Sequence, residues 1–300
     1  MSHISVMIKE VLKALNPKEN EIILDGTFGA GGYTKNILNS CNCNVIATDR
    51  DINVLNFVEE VKEKYKDRFK FFNIKFSEIS QYVENNSLDG IVLDLGVSSM
   101  QLDNADRGFS FNKDAKLSMT MGRNSISAFD VVNDFNEVDL ANIIYTYGEE
   151  VKSRTISKAI INYRKNKKIE TTLELANIVK SCFPQKYYKI NPATKTFQAI
   201  RIFVNDELNE IKKILEDSKN LLKKNGRLVV VSFHSLEDRI VKEFFKINSN
   251  SEKINKYNNT LEEKNFTFKL IEKQPVIVSE EEVKNNARSR SAKLRWGIKC

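Results

Sequence analysis

Two histidines and four cysteines in 300 residues leave little from which to build a metal centre. Cys41-Asn42-Cys43 is too closely spaced for a C-x-x-C knuckle, and Cys182 and Cys300 stand apart from it. Free reduced thiols and no metal site are the expectation. No apolar run approaches the ~20 residues of a membrane-spanning helix, and residues 1–15 lack a continuous signal-peptide core. A cytoplasmic protein that neither crosses nor anchors to a membrane is expected. No internal repeat is present, which excludes solenoids and propellers. What is there is 41% hydrophobic and 29% charged, within the soluble globular range, with a formal net charge of +7. That balance suits a polyanionic partner, and the length suits one large or two ordinary domains.

Glycine is concentrated where it is most informative. In residues 21–34, an apolar run through Leu24 ends in Asp25, Gly29, Gly31 and Gly32 follow, and an apolar-periodic segment continues through Ile37 and Leu38. This reads as strand, tight turn and helix, a geometry that lets backbone N–H groups approach a ligand closely. A second short strand, Val45-Ile46-Ala47, ends at Asp49, twenty residues beyond Gly29. An acid at the tip of the second strand is placed to accept hydrogen bonds from ribose hydroxyls. The third glycine of a dinucleotide-binding G-x-G-x-x-G is missing, because position 34 is Thr. The turn is similar instead to the first motif of S-adenosylmethionine methyltransferases.

Candidate strands at 21–25, 44–48, 69–74 and 90–95 alternate with helical spacing, as at Ile52, Leu55 and Val58. Such alternation predicts a parallel sheet covered by helices. Leu228–Phe233 is continuously apolar and reads as a central strand. More than the dozen or so residues of an ordinary crossover separate the strand at Asp94 from this one. The gap holds helical patterns at 136–147 and 151–163, a capping box Thr171-Thr172-Leu173-Glu174, and a long helix over about 203–224 that stops at Gly226. The predicted fold is therefore α/β, with an all-helical domain, 104–212, inserted into a sheet domain formed by 1–103 and 213–300. Residues 248–265 read as a mobile loop. Short β-prone runs at 266–271 and 275–279 follow, and 284–300 holds six Lys/Arg and no acid.

Asp94 ends the fourth strand in Gly-Ile-Val-Leu-Asp-Leu-Gly-Val-Ser-Ser (90–99). Asp25, Asp49 and Asp94 thus end three strands on one sheet edge, where open parallel sheets bind ligands. His234 follows the central strand on that same edge. It is either a general base or a structural residue hydrogen-bonded to Asp238 or to backbone. Arg288, Arg290, Lys293 and Arg295, with Trp296 beside them, form the densest basic cluster and read as a phosphate-binding footprint for RNA. Asn191, Lys195, Gln198 and Arg201 are polar points that either meet RNA or cap a helix.

Longer strings narrow the field: HISVMIKEVL (3–12), DGTFGAGGYT (25–34), DLGVSSMQLDNADRGFSF (94–111), YGEEVKSR (147–154), NPATKTFQAIRIFVNDEL (191–208), GRLVVVSFHSLEDR (226–239) and ARSRSAKLR (287–295). On these the chain resembles the bacterial 16S ribosomal RNA (cytosine-N4) methyltransferase family over nearly its whole length. The resemblance implies a Rossmann-like S-adenosylmethionine-dependent methyltransferase sheet, S-adenosylmethionine as cofactor, and 16S rRNA within the small ribosomal subunit as substrate, near the decoding centre. It implies no obligate protein partner. Cofactor contacts carry over to Gly31, Gly32, Tyr33, Asp49, Phe76, Asp94 and Gln101. Four places depart from the family pattern. Tyr33 stands where His is usual, Met100 and Ser5 where Pro is usual, and 117–122 reads Leu-Ser-Met-Thr-Met-Gly for Leu-Asp-Met-Arg-Met-Asp. Methyl transfer to an exocyclic amine needs acceptors on its N–H groups. Asp94, the Leu95 or Gly96 carbonyl, and Ser98 or Ser99 are the candidates, with Asp94 and His234 as the catalytic residues to test.

Overall fold

The computed structural model describes residues 5–122, 124–249 and 266–300. His3 and positions 250–265, the bulk of the stretch read as a loop, lie outside them. The chain divides into two compact units: one up to Gly96 together with Leu208–Cys300, the other Val97–Glu207.

The first unit opens with α1 (Ile8–Leu15), β1 (Ile22–Asp25), α2 (Gly32–Ser40), β2 (Asn44–Thr48), α3 (Leu55–Tyr65), β3 (Phe69–Phe72) and β4 (Leu88–Asp94). The second unit holds α4 (Ser99–Asp103), α5 (Ala128–Asp134), α6 (Glu137–Gly148), α7 (Ser153–Arg164), α8 (Thr172–Ser181) and α9 (Thr194–Asn205). The chain continues through α10 (Glu207–Leu221), β5 (Leu222–Ser232), α11 (Ser235–Asn248), β6 (Phe268–Leu270), β7 (Val276–Ile277), α12 (Glu280–Asn285) and β8 (Lys293–Lys299).

The sheet runs β3-β2-β1-β4-β5-β8-β6, with β7 also on β8. β3, β2, β1, β4 and β5 are parallel, and β8 is antiparallel to β5. Continuous apolar runs mark the internal strands. Leu88, Ile91, Val92 and Leu93 of β4 and Leu228–Val231 of β5 are fully buried, as expected for strands covered on both faces. α10 contributes Ile211, Ile214 and Leu215 to the same core, which Phe244, Phe245 and Phe268 close.

The helical unit has its own core, including Met119, Val131, Ile144, Ile156, Leu175 and Ile200. The Thr171 capping box is present: Glu174 N donates to Thr171 Oγ1 at 3.3 Å and Thr171 N to Glu174 Oε2 at 3.2 Å. Strand pairing in this unit is limited, among the described residues, to one isolated bridge, Lys116 with Thr171. In the departing segment 117–122, the apolar positions Leu117, Met119 and Met121 are the buried ones. Asn205 fixes its backbone, accepting from Met121 N (2.8 Å) and donating to Met119 O (2.7 Å). The departures at Ser118, Thr120 and Gly122 fall on partly exposed positions.

Three expectations are corrected. The long helix over 203–224 is two helices, because Asp206 adopts a left-handed conformation (φ 52°) and ends α9. Lys223–Gly226, read as a helix stop, lie within β5, whose first residue Leu222 already pairs with Leu88. The unit boundaries fall at 96/97 and 207/208, where 104 and 212 had been expected. The first moves because Ser98 and Ser99 open a helix of the second unit. There Ser98 Oγ accepts from Gln101 N (3.2 Å), and Gln101 Oε1 accepts from Ser98 N (3.0 Å).

Candidate active site

The turn after β1 is held by its neighbours. Gly26 N donates to Val92 O (3.0 Å) and Phe28 N to Thr48 O (3.0 Å), while Thr48 Oγ1 donates to Gly26 O (3.0 Å). Gly29 and Gly31 have φ of 53° and 75°, which favours glycine at both. At Gly32 a Cβ would collide with Ser5 Oγ. α2 begins at Gly31 with no side-chain cap, so its first-turn N–H groups remain a donor set at the positive end of a helix dipole. Thr34, where a dinucleotide fingerprint has its last glycine, donates from Oγ1 to Asp25 Oδ2 at 2.7 Å. The missing glycine therefore has a structural reason: the hydroxyl is needed to satisfy a buried carboxyl.

The three strand-end acids differ in their remaining capacity. Asp25 is fully buried, and besides Thr34 it accepts from Thr27 N (3.1 Å). Burial raises its pKa, against the Thr34 and Thr27 hydrogen bonds. Asp49 accepts from Gly29 N (2.8 Å, Oδ2) and from Asp51 N (2.8 Å, Oδ1), which aims the carboxyl and leaves each oxygen a lone pair. Burial pushes it up to about 6. Asp94 is different: its Oδ1 is buried and makes no hydrogen bond. Its backbone N donates to Thr27 Oγ1 (2.7 Å), which fixes the end of β4 against the turn. Burial pushes Asp94 up to about 8, the carboxyls of Asp25, Glu237 and Glu282 add to the push, and the Tyr33 hydroxyl opposes it. An orphaned buried oxygen among like-charged neighbours is an acceptor suited to a cationic ligand.

Tyr33, at the family's histidine position, donates from its hydroxyl to Val6 O at 2.6 Å. Burial and the Asp94 and Asp25 carboxyls push its phenol well up. Met7 N donates to Glu282 Oε1 (2.8 Å), so the segment at Ser5–Met7 is tied both to α2 and to α12. Nothing in the sequence pointed to Glu282, which comes beside Asp94 through a contact spanning most of the chain. Phe76 begins a 3-10 turn after β3 and packs beside Gly26, where a Cβ would lie 3.3 Å from the Phe76 Cβ. Gln101 is buried in the helical unit in the α4 capping box already described.

His234 caps α11. Its Nδ1 accepts from Glu237 N at 3.4 Å, and its Nε2 lies 3.0 Å from Glu237 Oε1. The bond from the Glu237 backbone is the backbone alternative of the structural reading, and the Asp238 carboxyl is not its partner. Nε2 and Glu237 Oε1 are both buried and make no hydrogen bond. Asp238 belongs to Arg295 (Nε to Oδ1, 2.7 Å) and Lys293 (Nζ to Oδ2, 3.1 Å). The basic cluster is thereby split. Lys293 and Arg295 sit in β8 inside the sheet, with the Arg295 and Asp238 side chains only 11% and 13% exposed. Sequence alone reads them as part of a basic tail, because a strand with a charged face looks like a tail when its antiparallel partner lies more than 60 residues earlier, as Ser232 does from Lys293. Arg288 and Arg290 lie on an exposed 3-10 turn.

Asn191, Lys195, Gln198 and Arg201 each have a hydrogen-bond partner within the helical unit; Lys195 is exposed and the other three are partly buried. Asn191 Oδ1 accepts from Ala193 N, Lys195 donates to Glu149 O, Gln198 to Tyr147 O, and Arg201 makes a two-pronged pair with Glu207 at 2.8 Å. Among the described residues, no helix is long and apolar enough to cross a membrane.

Residues 1–299 match the model of the MraW methylase family. The ribosomal RNA small subunit methyltransferase H of Rickettsia conorii is 53% identical over 297 residues, covering 98% of this chain and 97% of that one. The enzyme of the same name from Rickettsia akari is 52% identical over 301 residues, covering 99% and 98%. A match over all but the last residue, with relatives this similar along their full lengths, places this chain in the MraW methylase family.

Proposed function

We propose that the chain transfers a methyl group from S-adenosylmethionine to N4 of one cytosine in 16S rRNA of the small ribosomal subunit, near the decoding centre. The observation that carries the reading in the structure is the unpaired, buried Asp94 Oδ1 at the carboxyl end of β4, beside a glycine turn that opens a helix without a side-chain cap. S-adenosylmethionine fits these residues, and when bound it supplies an electrophilic methyl group. The glycine turn at Gly31, Gly32 and Tyr33 would hold its amino-acid end, Asp49 its ribose hydroxyls, Phe76 its adenine and Asp94 its cationic side. Gln101 joins them through the family resemblance.

Cytosine N4 is a weak nucleophile because its lone pair is delocalised into the ring. An acceptor on its N–H groups localises that lone pair, and the protein's task is otherwise alignment and exclusion of water. Of the candidate acceptors, the Ser98 oxygen already serves the α4 cap, whereas Asp94 Oδ1 stays open. A base in folded RNA has to leave its stack to reach such a site, so the target lies in a non-helical segment. The test is labelled methyl transfer to small subunits that lack the modification, beside naked 16S rRNA. Transfer to the RNA of assembled subunits, much faster than to naked RNA, is expected. Label on ribosomal protein, or none, would refute the proposal.

A further inference from the structure

We propose that residues 182–193 of the helical unit form a docking surface for single-stranded RNA, with Tyr187 as a platform on which an unpaired base stacks and Lys186 and Lys189 as its phosphate contacts. The inference rests on the rRNA substrate reading above and adds where on the helical unit RNA is held.

The stretch from Leu175 to Asn205 contains no Asp or Glu, while carrying Lys180, Lys186, Lys189, Lys195 and Arg201. In a chain that is 29% charged, every charged side chain that this stretch contributes is positive. Arg201 is paired with Glu207, and Lys195, although exposed, donates to Glu149 O. Lys180, at the end of α8, is exposed too, and the loop itself presents Lys186 and Lys189, both exposed, with Lys186 Nζ 5.4 Å over the Tyr188 ring.

The loop is built to hold its shape. Tyr188 donates its hydroxyl to Pro184 O (3.1 Å) and sets its ring edge-on to Phe183, centroids 6.0 Å apart. Lys152 lies 4.6 Å over the other aromatic, Phe183, and donates to Cys182 O (2.9 Å). With Lys195 bonded to Glu149 O, the turn at 149–152 and the loop are fastened at two points. Glu150 of that turn is buried and accepts from Lys152 N, so it adds no exposed acid.

Two adjacent tyrosines then have opposite fates. Tyr188 is packed inward, and Tyr187 projects at 90% exposure. Ile190 (59%) and Val151 (84%) are exposed beside it in the chain segments so fastened. A single exposed apolar residue means little, but an outward aromatic held on a braced loop between two lysines combines the two elements of sequence-tolerant single-strand binding: a stacking face and backbone-neutralising cations. A protein partner rich in acids would be drawn by the lysines, but it gives no reason for the bare ring.

The experiment measures binding of the full chain to a short unstructured RNA oligonucleotide and to a duplex of equal length, by fluorescence anisotropy across a salt series. Tyr187→Ala should weaken single-strand binding about five- to a hundredfold, the range for loss of one stacked base, and affect the duplex less. Tyr187→Phe should bind like the unsubstituted chain, since stacking needs the ring and not the hydroxyl. Lys186→Ala with Lys189→Ala should flatten the salt slope by about 1.4, at roughly 0.7 per single-strand phosphate contact. Thermal melts of each variant verify folding. Unchanged binding by Tyr187→Ala, or equal loss in Tyr187→Phe, overturns the surface. Methyl transfer to small-subunit RNA by the unsubstituted chain is measured alongside. If that transfer is intact while Tyr187→Ala has no effect on binding, the surface alone is wrong, and if it is absent, both readings fall.

Discussion

The two units of this chain treat charge in opposite ways. The sheet unit gathers carboxyls. Asp25 and Asp94 end β1 and β4, Glu237 and Glu282 come close enough to raise Asp94, and that acid is left with an oxygen bearing no hydrogen bond. The helical unit neutralises its buried charge at short range, as in the Arg201–Glu207 pair, and keeps a long acid-free stretch whose lysines are exposed. A concentration of like charge costs folding stability and persists where a ligand of the opposite sign relieves it. The contrast points to two ligands: a small cation for the first unit and a polyanion for the second.

The comparison breaks most visibly at Asp94. Asp94→Ala should abolish methyl transfer, a loss of a hundredfold or more in a turnover assay, because the open acceptor disappears. Asp94→Asn sharpens the test by keeping shape while removing charge, and near-normal turnover in that variant would show that charge is irrelevant there. Asp49→Ala should weaken S-adenosylmethionine binding by about 1.5–3 kcal/mol, the scale of a lost hydrogen bond to a charged group, as read by calorimetry.

pH separates the acids further. Asp94, near 8 and above its ordinary value of 3.8, is protonated in the folded protein at neutrality. Its contribution to stability is full below about 4 and is lost as pH rises through 8, a slope that Asp94→Asn should remove in urea titrations. A cation beside it favours the ionised form, so binding of S-adenosylmethionine at pH 7 should release a proton. Calorimetry in buffers of different ionisation enthalpy reads that proton directly, and no buffer dependence would contradict the assignment.

Arg295→Ala should cost roughly 1–2 kcal/mol of unfolding free energy, since the largely buried Asp238 carboxylate keeps only Lys293 as its cationic partner. Burial pushes Asp238 up, but the Arg295 and Lys293 hydrogen bonds overcome it and hold the carboxyl below its usual range. Its stabilising share is therefore present above about 4 and lost as pH falls further. The smallest effect should come from Arg288→Ala with Arg290→Ala: intact folding and a modestly reduced salt dependence of subunit binding. An unchanged slope would make that exposed turn structural as well.

These differences also explain what the sequence disclosed. The parallel strands, the glycine turn and Asp25, Asp49 and Asp94 are local patterns, each written within about ten consecutive residues, and the structure brings them to one edge. The internal position of β5 followed from its unbroken apolar run. Long-range charge was not legible. Glu282 reaches the first strand's neighbourhood through Met7, and Asp238 reaches β8 through Arg295 and Lys293. No periodicity marks a partner that far along the chain. Asp206 concealed the break between α9 and α10, because a left-handed aspartate in an otherwise periodic stretch carries no local warning as glycine does.

Mass spectrometry of nucleosides from small-subunit 16S rRNA, after incubation with the chain and S-adenosylmethionine, tests the central claim most directly. The account predicts N4-methylated cytidine, formed by the unsubstituted chain and absent with Asp94→Ala. A methyl group at cytosine C5 or on a ribose 2′-hydroxyl, or N4-methylcytidine formed equally by the Asp94→Ala chain, would contradict it.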